Sequence, residues 1–548
     1  MALIQISVLV TAFIFYRVIT SLLRERRFKA FATQHGCAEP EDVTEPWYQR
    51  HKRLQRVLAI KKSGEDIIDD IIGSDFRDSN TAQRRAFEGS KTILTIEPAN
   101  LQAVLATQFK DFETGHIRYQ QLSPILGRSI FTSDGAFWEH SRALFRPQFA
   151  RDNINDLEST DRAASALIEA LGPTDASGWT PDGDMLPLFF NFTLDTASEF
   201  LFGESVDSQT LAMKAKVQQN SEAYDVEKAG SAGMQATSEQ FRDDLVIVGD
   251  HILTRIRMQS LYWVGDSLRF RKAIRSAKRF TECVYLNHIA SESECSLTVF
   301  LIRYFVQRAI DAAKLDKVDG EKANLLAKLA TQSQDREELR DQTLAILFAG
   351  RDTTASLLGF CFVRLALHPD ILKKLRGTLL TDFVPGKPVT FAQLKSCRYL
   401  QHFLNEVLRL HPTVPLNARV AARDTTLPVG GGKDQSEPVA VRKGETIGYS
   451  VYLMHRRKDL WGEDASEFKP ERWEQRIPAW QFLPFNGGPR ICLGQQFALT
   501  EASYVLVRLL REFDSIEPVD RAQMLRFKKG LGLTMWPGDG VKVRLHKA

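Results

Sequence analysis

Residues 2–23 are almost wholly apolar, broken only by Gln5, Arg17 and a few hydroxyls. That is about the 20 residues an α-helix needs to cross the hydrocarbon of a bilayer. Arg17 lies within a turn or two of the boundary, where its stem can snorkel to the headgroups, and Arg24, Arg26, Arg27 and Lys29 follow at once. Cations gathered on that side keep the C-terminal bulk cytosolic. A cleaved signal peptide is the competing reading, but its charged leader is missing and no small-x-small cleavage pattern precedes the basic cluster. The expectation is a membrane anchor over residues 1–27, with the one sequon considered, Asn191-Phe192-Thr193, unmodified.

The rest of the 548 residues is far longer than one ordinary domain and, at 43% hydrophobic, too apolar to be disordered. Seventy-two basic against sixty-eight acidic residues leave a formal charge of +4, too small a bias for phosphate-backbone binding, so no nucleic-acid partner is expected. Six cysteines (Cys37, Cys283, Cys295, Cys361, Cys397, Cys492) form no CxxC pair, which argues against a disulfide framework and a structural zinc site.

Residues 28–60, with Pro40 and Pro46, read as a hinge and entry segment. Residues 91–96 (KTILTI) have strand composition, and Pro98 opens a helical pattern over 100–109. Helical periodicity then dominates at 151–171, 190–202, 338–367 and 399–410. Gly430 to Gly432 break the chain beside a β-like stretch at 439–449, and 533–543 is β-like again. The expected fold is mainly α with small β-sheets, a single large domain over 61–548. Residues 285–303 sit awkwardly between two basic helical stretches that would read more smoothly if joined.

The run Phe485-Asn486-Gly487-Gly488-Pro489-Arg490-Ile491-Cys492-Leu493-Gly494 places a cysteine in a glycine-rich turn before the apolar helical pattern 496–513. The glycines permit close approach of a flat ligand, and a helix N-terminus with the turn's N–H groups favours thiolate. A lone cysteine of this kind can equally be an inert buried thiol. The whole spacing, F-x-x-G-x-R-x-C-x-G, resembles the heme-binding signature of the cytochrome P450 monooxygenases. That resemblance implies heme b with Cys492 as axial iron ligand, Arg490 on a propionate, Phe485 packed on the sulfur, and Gly494 closing the motif.

Further motifs follow the same resemblance. Glu406 and Arg409 (E-x-x-R) with Arg472 of Pro470-Glu471-Arg472-Trp473 resemble the family's buried salt-bridge triad. Trp138 and Arg142, an i, i+4 pair on one helical face, and Arg419 beyond Pro412 and Pro415, resemble propionate partners. Ala349-Gly350-Arg351-Asp352-Thr353-Thr354 sets polar residues in a long apolar helix, where burial costs several kcal/mol unless they are hydrogen-bonded. It is similar to A-G-x-D-T-T, which implies Asp352 and Thr353 as the acid and alcohol that relay protons to bound dioxygen.

Details such as FAGRDTT and LMHRRKDLWGEDASEFKPERW look most like the fungal microsomal branch that hydroxylates n-alkanes and fatty acids, although similar enzymes tailor terpenoid or polyketide metabolites. The resemblance implies an apolar substrate, met by residues 112–129, Leu347, Phe348, the turn 413–417 and the tail near Leu533, and an endoplasmic reticulum location, single-pass, with the catalytic domain facing the cytosol. No Gly-x-Gly-x-x-Gly fingerprint follows a strand, so an NADPH-cytochrome reductase is the implied electron donor, met through basic residues such as Arg142, Arg146 and Arg151. A non-catalytic heme sensor or carrier would have no need of Asp352 and Thr353. Residues 285–303 have no evident counterpart in that branch and read as a retained intron, against a genuine family-specific loop.

Overall fold

The computed structural model describes residues 2–63, 66–149, 157–220, 251–252, 254–274, 306, 309–310, 313, 324–384 and 386–548. The awkward segment 285–303 and Arg151 lie outside these residues. The first helix, α1 (Ala2–Gln34), is longer than the anchor expected from composition. Its apolar window is 0% buried, as a segment meant for lipid would be. The helix runs on through the basic cluster because its last turns find partners: Glu25 pairs with Arg442 at 2.7 Å, and the same guanidinium stacks on Phe28 at 4.4 Å. No proline or glycine interrupts it before Gly36. The hinge expected at 28–60 is therefore largely structured. Helix α2 (Trp47–Ser63) occupies its second half.

The described chain divides into two units, one formed by residues 1–114, 416–454 and 486–491, the other by 115–415, 455–485 and 492–548. The first is built on a six-stranded sheet of β1 (Glu41–Asp42), β2 (Thr81–Arg85), β3 (Lys91–Thr95), β4 (Phe112–Glu113), β5 (Leu416–Ala421) and β6 (Thr446–Ser450), in the order β1-β2-β3-β6-β5-β4. The KTILTI segment forms β3 because its branched side chains pack on a pleated face: Ile93 lies beside Ile447 of the parallel β6, both fully buried. Buried hydroxyls of Thr81 and Thr95 are satisfied by each other and by Asn100, whose amide also reaches the Val429 carbonyl at 2.9 Å. Pro98 does open a helix, but it lasts only to Gln102 before the coil widens over Ala103–Thr107. The β-like stretch at 439–449 is two strands, parted by a turn at Gly444 (φ +86°).

The second unit is helical. Its principal members are α3 (Gly135–Phe145), α4 (Met185–Phe202), α5 (Arg336–Leu367), α6 (Arg398–Leu410) and α7 (Gln495–Glu512). Asp335 caps α5 by accepting from the N–H groups of Glu337 and Glu338. By length and hydropathy α5 could cross a membrane, yet 67% of its apolar window is buried inside the protein, so it is the core helix of this unit. It packs along α4, with Phe189 against Phe362 at 5.0 Å between rings. Gly350 and Gly359 let the neighbours come close: a methyl at Gly350 would touch Ala197, and one at Gly359 would press on Leu186 and Pro537. The helix expected at 151–171 is observed over Glu158–Ala170, and the tail forms short strands at Met535–Pro537 and Lys542–Lys547.

Candidate active site

Cys492 stands two residues before Gly494, the N-cap of α7. Its N–H donates to the Phe485 carbonyl at 3.0 Å, closing the glycine-rich loop. Within that loop, Gly488 (φ +67°) belongs to the first unit, and any side chain there would collide with the Leu105 carbonyl. Only glycine meets both demands. Cys492 is exposed, whereas Cys361 and Cys397 are buried. Even so, burial among surrounding atoms is the largest influence on its thiol and pushes it up, against the Gly494 N–H and the Arg142 charge. The sulfur thus faces an opening while being withdrawn from bulk water. As a free thiol it stays protonated, and a bound metal cation is what would make it an anion.

Helix α3 buries Trp138, and the Arg142 guanidinium lies 5.9 Å from its ring centroid. Burial lowers the Arg142 pKa, and the Cys492 sulfur opposes that. Arg142 is half-buried and within electrostatic reach of the sulfur, while Arg146 is exposed. Arg419 is buried in β5, donating to the Ala418 carbonyl at 2.8 Å and to Asn417 Oδ1 at 3.2 Å. Arg490 ends the short turn Gly488–Arg490. Both arginines belong to the first unit, whereas Trp138, Arg142, Phe485, Cys492 and Gly494 belong to the second.

In α5, three successive side-chain contacts load the backbone with hydroxyls. Thr353 donates to the Ala349 carbonyl at 2.7 Å, Ser356 to Asp352 O at 2.6 Å, and Thr193 of α4 to Arg351 O at 2.8 Å. Such bonds give the carbonyls a second donor beside the helical ladder, which itself runs unbroken through this stretch. Burial raises the Asp352 pKa, and the Arg351 guanidinium, 3.1 Å away, opposes it. Beside Thr354, the residue of α5 after Thr353, Glu501 of α7 is buried, its carboxyl pushed up to about 8 by burial, with the Thr196 and Thr354 hydroxyls opposing.

Glu406 and Arg409 are fully buried on α6. Arg409 Nε and Nη2 grip the two carboxylate oxygens at 2.8 and 2.7 Å. Arg472 Nε stands 3.6 Å from the same carboxylate. Arg409 and, at longer range, Arg472 thus converge on Glu406, as does Trp473, its indole N–H donating to Glu406 Oε2 at 3.0 Å.

A sequence model of the family described as Cytochrome P450 matches residues 84–236 and 297–540. The chain belongs to the cytochrome P450 family. It is 40% identical over 545 residues to cytochrome P450 monooxygenase g430 of a Fusarium species, covering 98% of this chain and 89% of that protein. It is 40% identical over 524 residues to cytochrome P450 52A5 of Candida maltosa, with 93% and 92% covered. Against cytochrome P450 monooxygenase alt2 of Alternaria solani the figures are 43% over 452 residues, with 79% and 77% covered. The protein is therefore a monooxygenase of this oxidoreductase family. Members carry heme and draw on a redox partner, dioxygen and an apolar substrate. The donor set of this P450 suits that group: one accessible sulfur backed by an N–H, with an arginine close enough to favour its charge.

Sequence reasoning missed Glu501, Thr193 and Trp473. Of these only Trp473 carried a signal, as the last residue of the PERW run already singled out for Arg472. The sequon threonine, Thr193, is buried and hydrogen-bonded inside the core.

Proposed function

We propose that this P450 hydroxylates a long apolar chain, an n-alkane or fatty acid, while anchored by α1 in the endoplasmic reticulum membrane with its body on the cytosolic side. An NADPH-cytochrome reductase supplies two electrons. With two protons and dioxygen, the balance is one C–H bond converted to C–O–H and one water released. The observation that carries this reading is the intact pair Asp352 and Thr353 on α5, with the Thr353 hydroxyl on the Ala349 carbonyl, in the same unit as Cys492. A sensor or an oxygen-independent isomerase has no use for that pair.

Cys492 would hold the heme, which would supply the chemistry of dioxygen activation, favoured by a thiolate donor. The protein's own groups do the rest. The Gly494 N–H and Arg142 favour the sulfur anion, and Trp138 and Arg142 are the pair we assign to a propionate edge; Arg419 and Arg490 are assigned the same kind of role by resemblance. Thr353 holds its hydroxyl proton on the Ala349 carbonyl until a better acceptor arrives. Asp352, its pKa raised by burial, exchanges protons closer to neutral pH than an exposed aspartate would. Phe348 packs on the apolar cluster of Leu122, Leu126 and Ala345, which supports apolar contact beside residues 352 and 353.

The test incubates membranes carrying the protein and a reductase with alkanes, fatty acids, and terpenoid and polyketide scaffolds. Terminally hydroxylated chains are expected, and turnover of the ring scaffolds alone would reject the substrate class. Thr353→Ala should consume NADPH while leaking peroxide; a variant that stays coupled would reject the role of Thr353.

A further inference from the structure

Neighbours on a helix point about 100° apart, so residues i and i+1 do not ordinarily face each other. Arg351 and Asp352 nevertheless make a contact of 3.1 Å, and helix α4 provides the reason. The Arg351 guanidinium lies 4.9 Å from the Phe190 ring centroid, a cation held over the negative face of an aromatic ring. One turn on, Thr193 has three carbonyls in reach of its single hydroxyl hydrogen, at 3.0 Å (Phe189), 3.2 Å (Phe190) and 2.8 Å (Arg351). The shortest of these ties α4 to the backbone of residue 351 itself. The Arg351 side chain is only 15% exposed, and its Nε has no acceptor. Among the described residues Asp352 is the carboxylate within ion-pair distance of it.

We propose that Arg351 is a positioning residue for proton delivery: seated on Phe190 and fixed through its carbonyl by Thr193, it grips the Asp352 carboxylate while that acid is ionised and lets it go when the acid takes up the proton it will pass on. This rests on the assignment of Asp352 as proton carrier made above. Arg351 is also the charged group acting on Asp352 from its surroundings, and it opposes the effect of burial. Removing it should leave burial unopposed, so Asp352 should hold its proton to higher pH.

The experiment follows the Asp352 carboxyl by infrared pH titration of the holoenzyme with isotope-labelled aspartate, the band being assigned by its loss in Asp352→Asn. Arg351→Gln should raise the midpoint by about 1 to 3 pH units, the usual effect of losing an opposite charge at this range. Arg351→Lys should restore part of the shift, and Phe190→Leu, which keeps the charge but removes its seat, should move the midpoint the same way by less. The pH dependence of peroxide leakage per NADPH should move with the midpoint. An unchanged midpoint in Arg351→Gln and Phe190→Leu overturns the proposal, as does a shifted midpoint with unaltered leakage. The infrared reading needs no substrate, so its failure is separable from failure of the substrate class.

Discussion

Arg409→Lys keeps the charge of the buried pair and removes only the geometry, which makes its cost countable. The guanidinium has five N–H donors, and all are used: two bonds go to Glu406, and one each to the carbonyls of His455, Ala465 and Glu467. An ammonium has three donors, so at least two acceptors lose a donor at a site with 0% exposure. At about 1–3 kcal/mol for each buried group left unpaired, the loss is roughly 2–6 kcal/mol. Arg472→Lys is the internal comparison. Arg472 makes three such bonds, to Trp461 O, Asp464 Oδ1 and Asp464 O, as many as lysine has donors, so its loss should be clearly smaller. Urea unfolding at fixed pH, followed by the heme–thiolate carbon monoxide band and by far-UV circular dichroism, reads both variants. If Arg409→Lys stays within about 0.5 kcal/mol of the parent, the range of an ordinary surface change, or costs no more than Arg472→Lys, donor counting fails here.

Other outcomes follow from single sites. Burial lifts Glu501 from 4.5 to about 8, so the folded protein keeps a proton that the unfolded chain gives up above pH 4.5. Stability should therefore fall as pH rises across that window, by up to roughly 1.4 kcal/mol per pH unit, and level off above it. Glu501→Gln should flatten the slope, and an unchanged slope would show that Glu501 does not titrate as described. Gly488→Ala should abolish the carbon monoxide band because its methyl meets the Leu105 carbonyl, whereas Gly377→Ala, in a helix with open space around it, should stabilise by up to about 1 kcal/mol. A variant Gly488→Ala with a normal spectrum would refute the steric argument. Transcript sequencing should find most messages lacking codons 285–303; reads running continuously through them would reject a retained intron.

Motifs whose chemistry fixes residue types at set chain spacing were legible from the sequence. The cysteine turn needs its glycines within a few residues of the sulfur, and Asp352 and Thr353 need each other on adjacent positions. The surroundings of these motifs were not legible in the same way. The first helix runs to Gln34, past the expected start of the hinge, and Arg442, more than 400 residues later, gives its Glu25 and Phe28 a partner, while the proline-bearing stretch 35–46 stays non-helical. The i, i+4 spacing put Arg142 beside Trp138, but only the tertiary structure brought Cys492 within electrostatic reach of it.

From its order of residues alone this chain determined an apolar N-terminal helix long enough to span a bilayer, a mainly helical body, a thiol presented at a helix start, and an acid with an alcohol inside an apolar helix. Each depends on local periodicity or on neighbours a few positions apart, which backbone geometry converts directly into shared faces. Tertiary structure alone decided that Thr193 bonds to the Arg351 carbonyl, that Arg351 rests on Phe190, that Trp473 donates to Glu406, and that Glu501 is buried against Thr354. Those meetings depend on how two helices, or a helix and a distant loop, are rotated and spaced against each other. Packing of the whole core sets that rotation, and no short stretch of sequence records it.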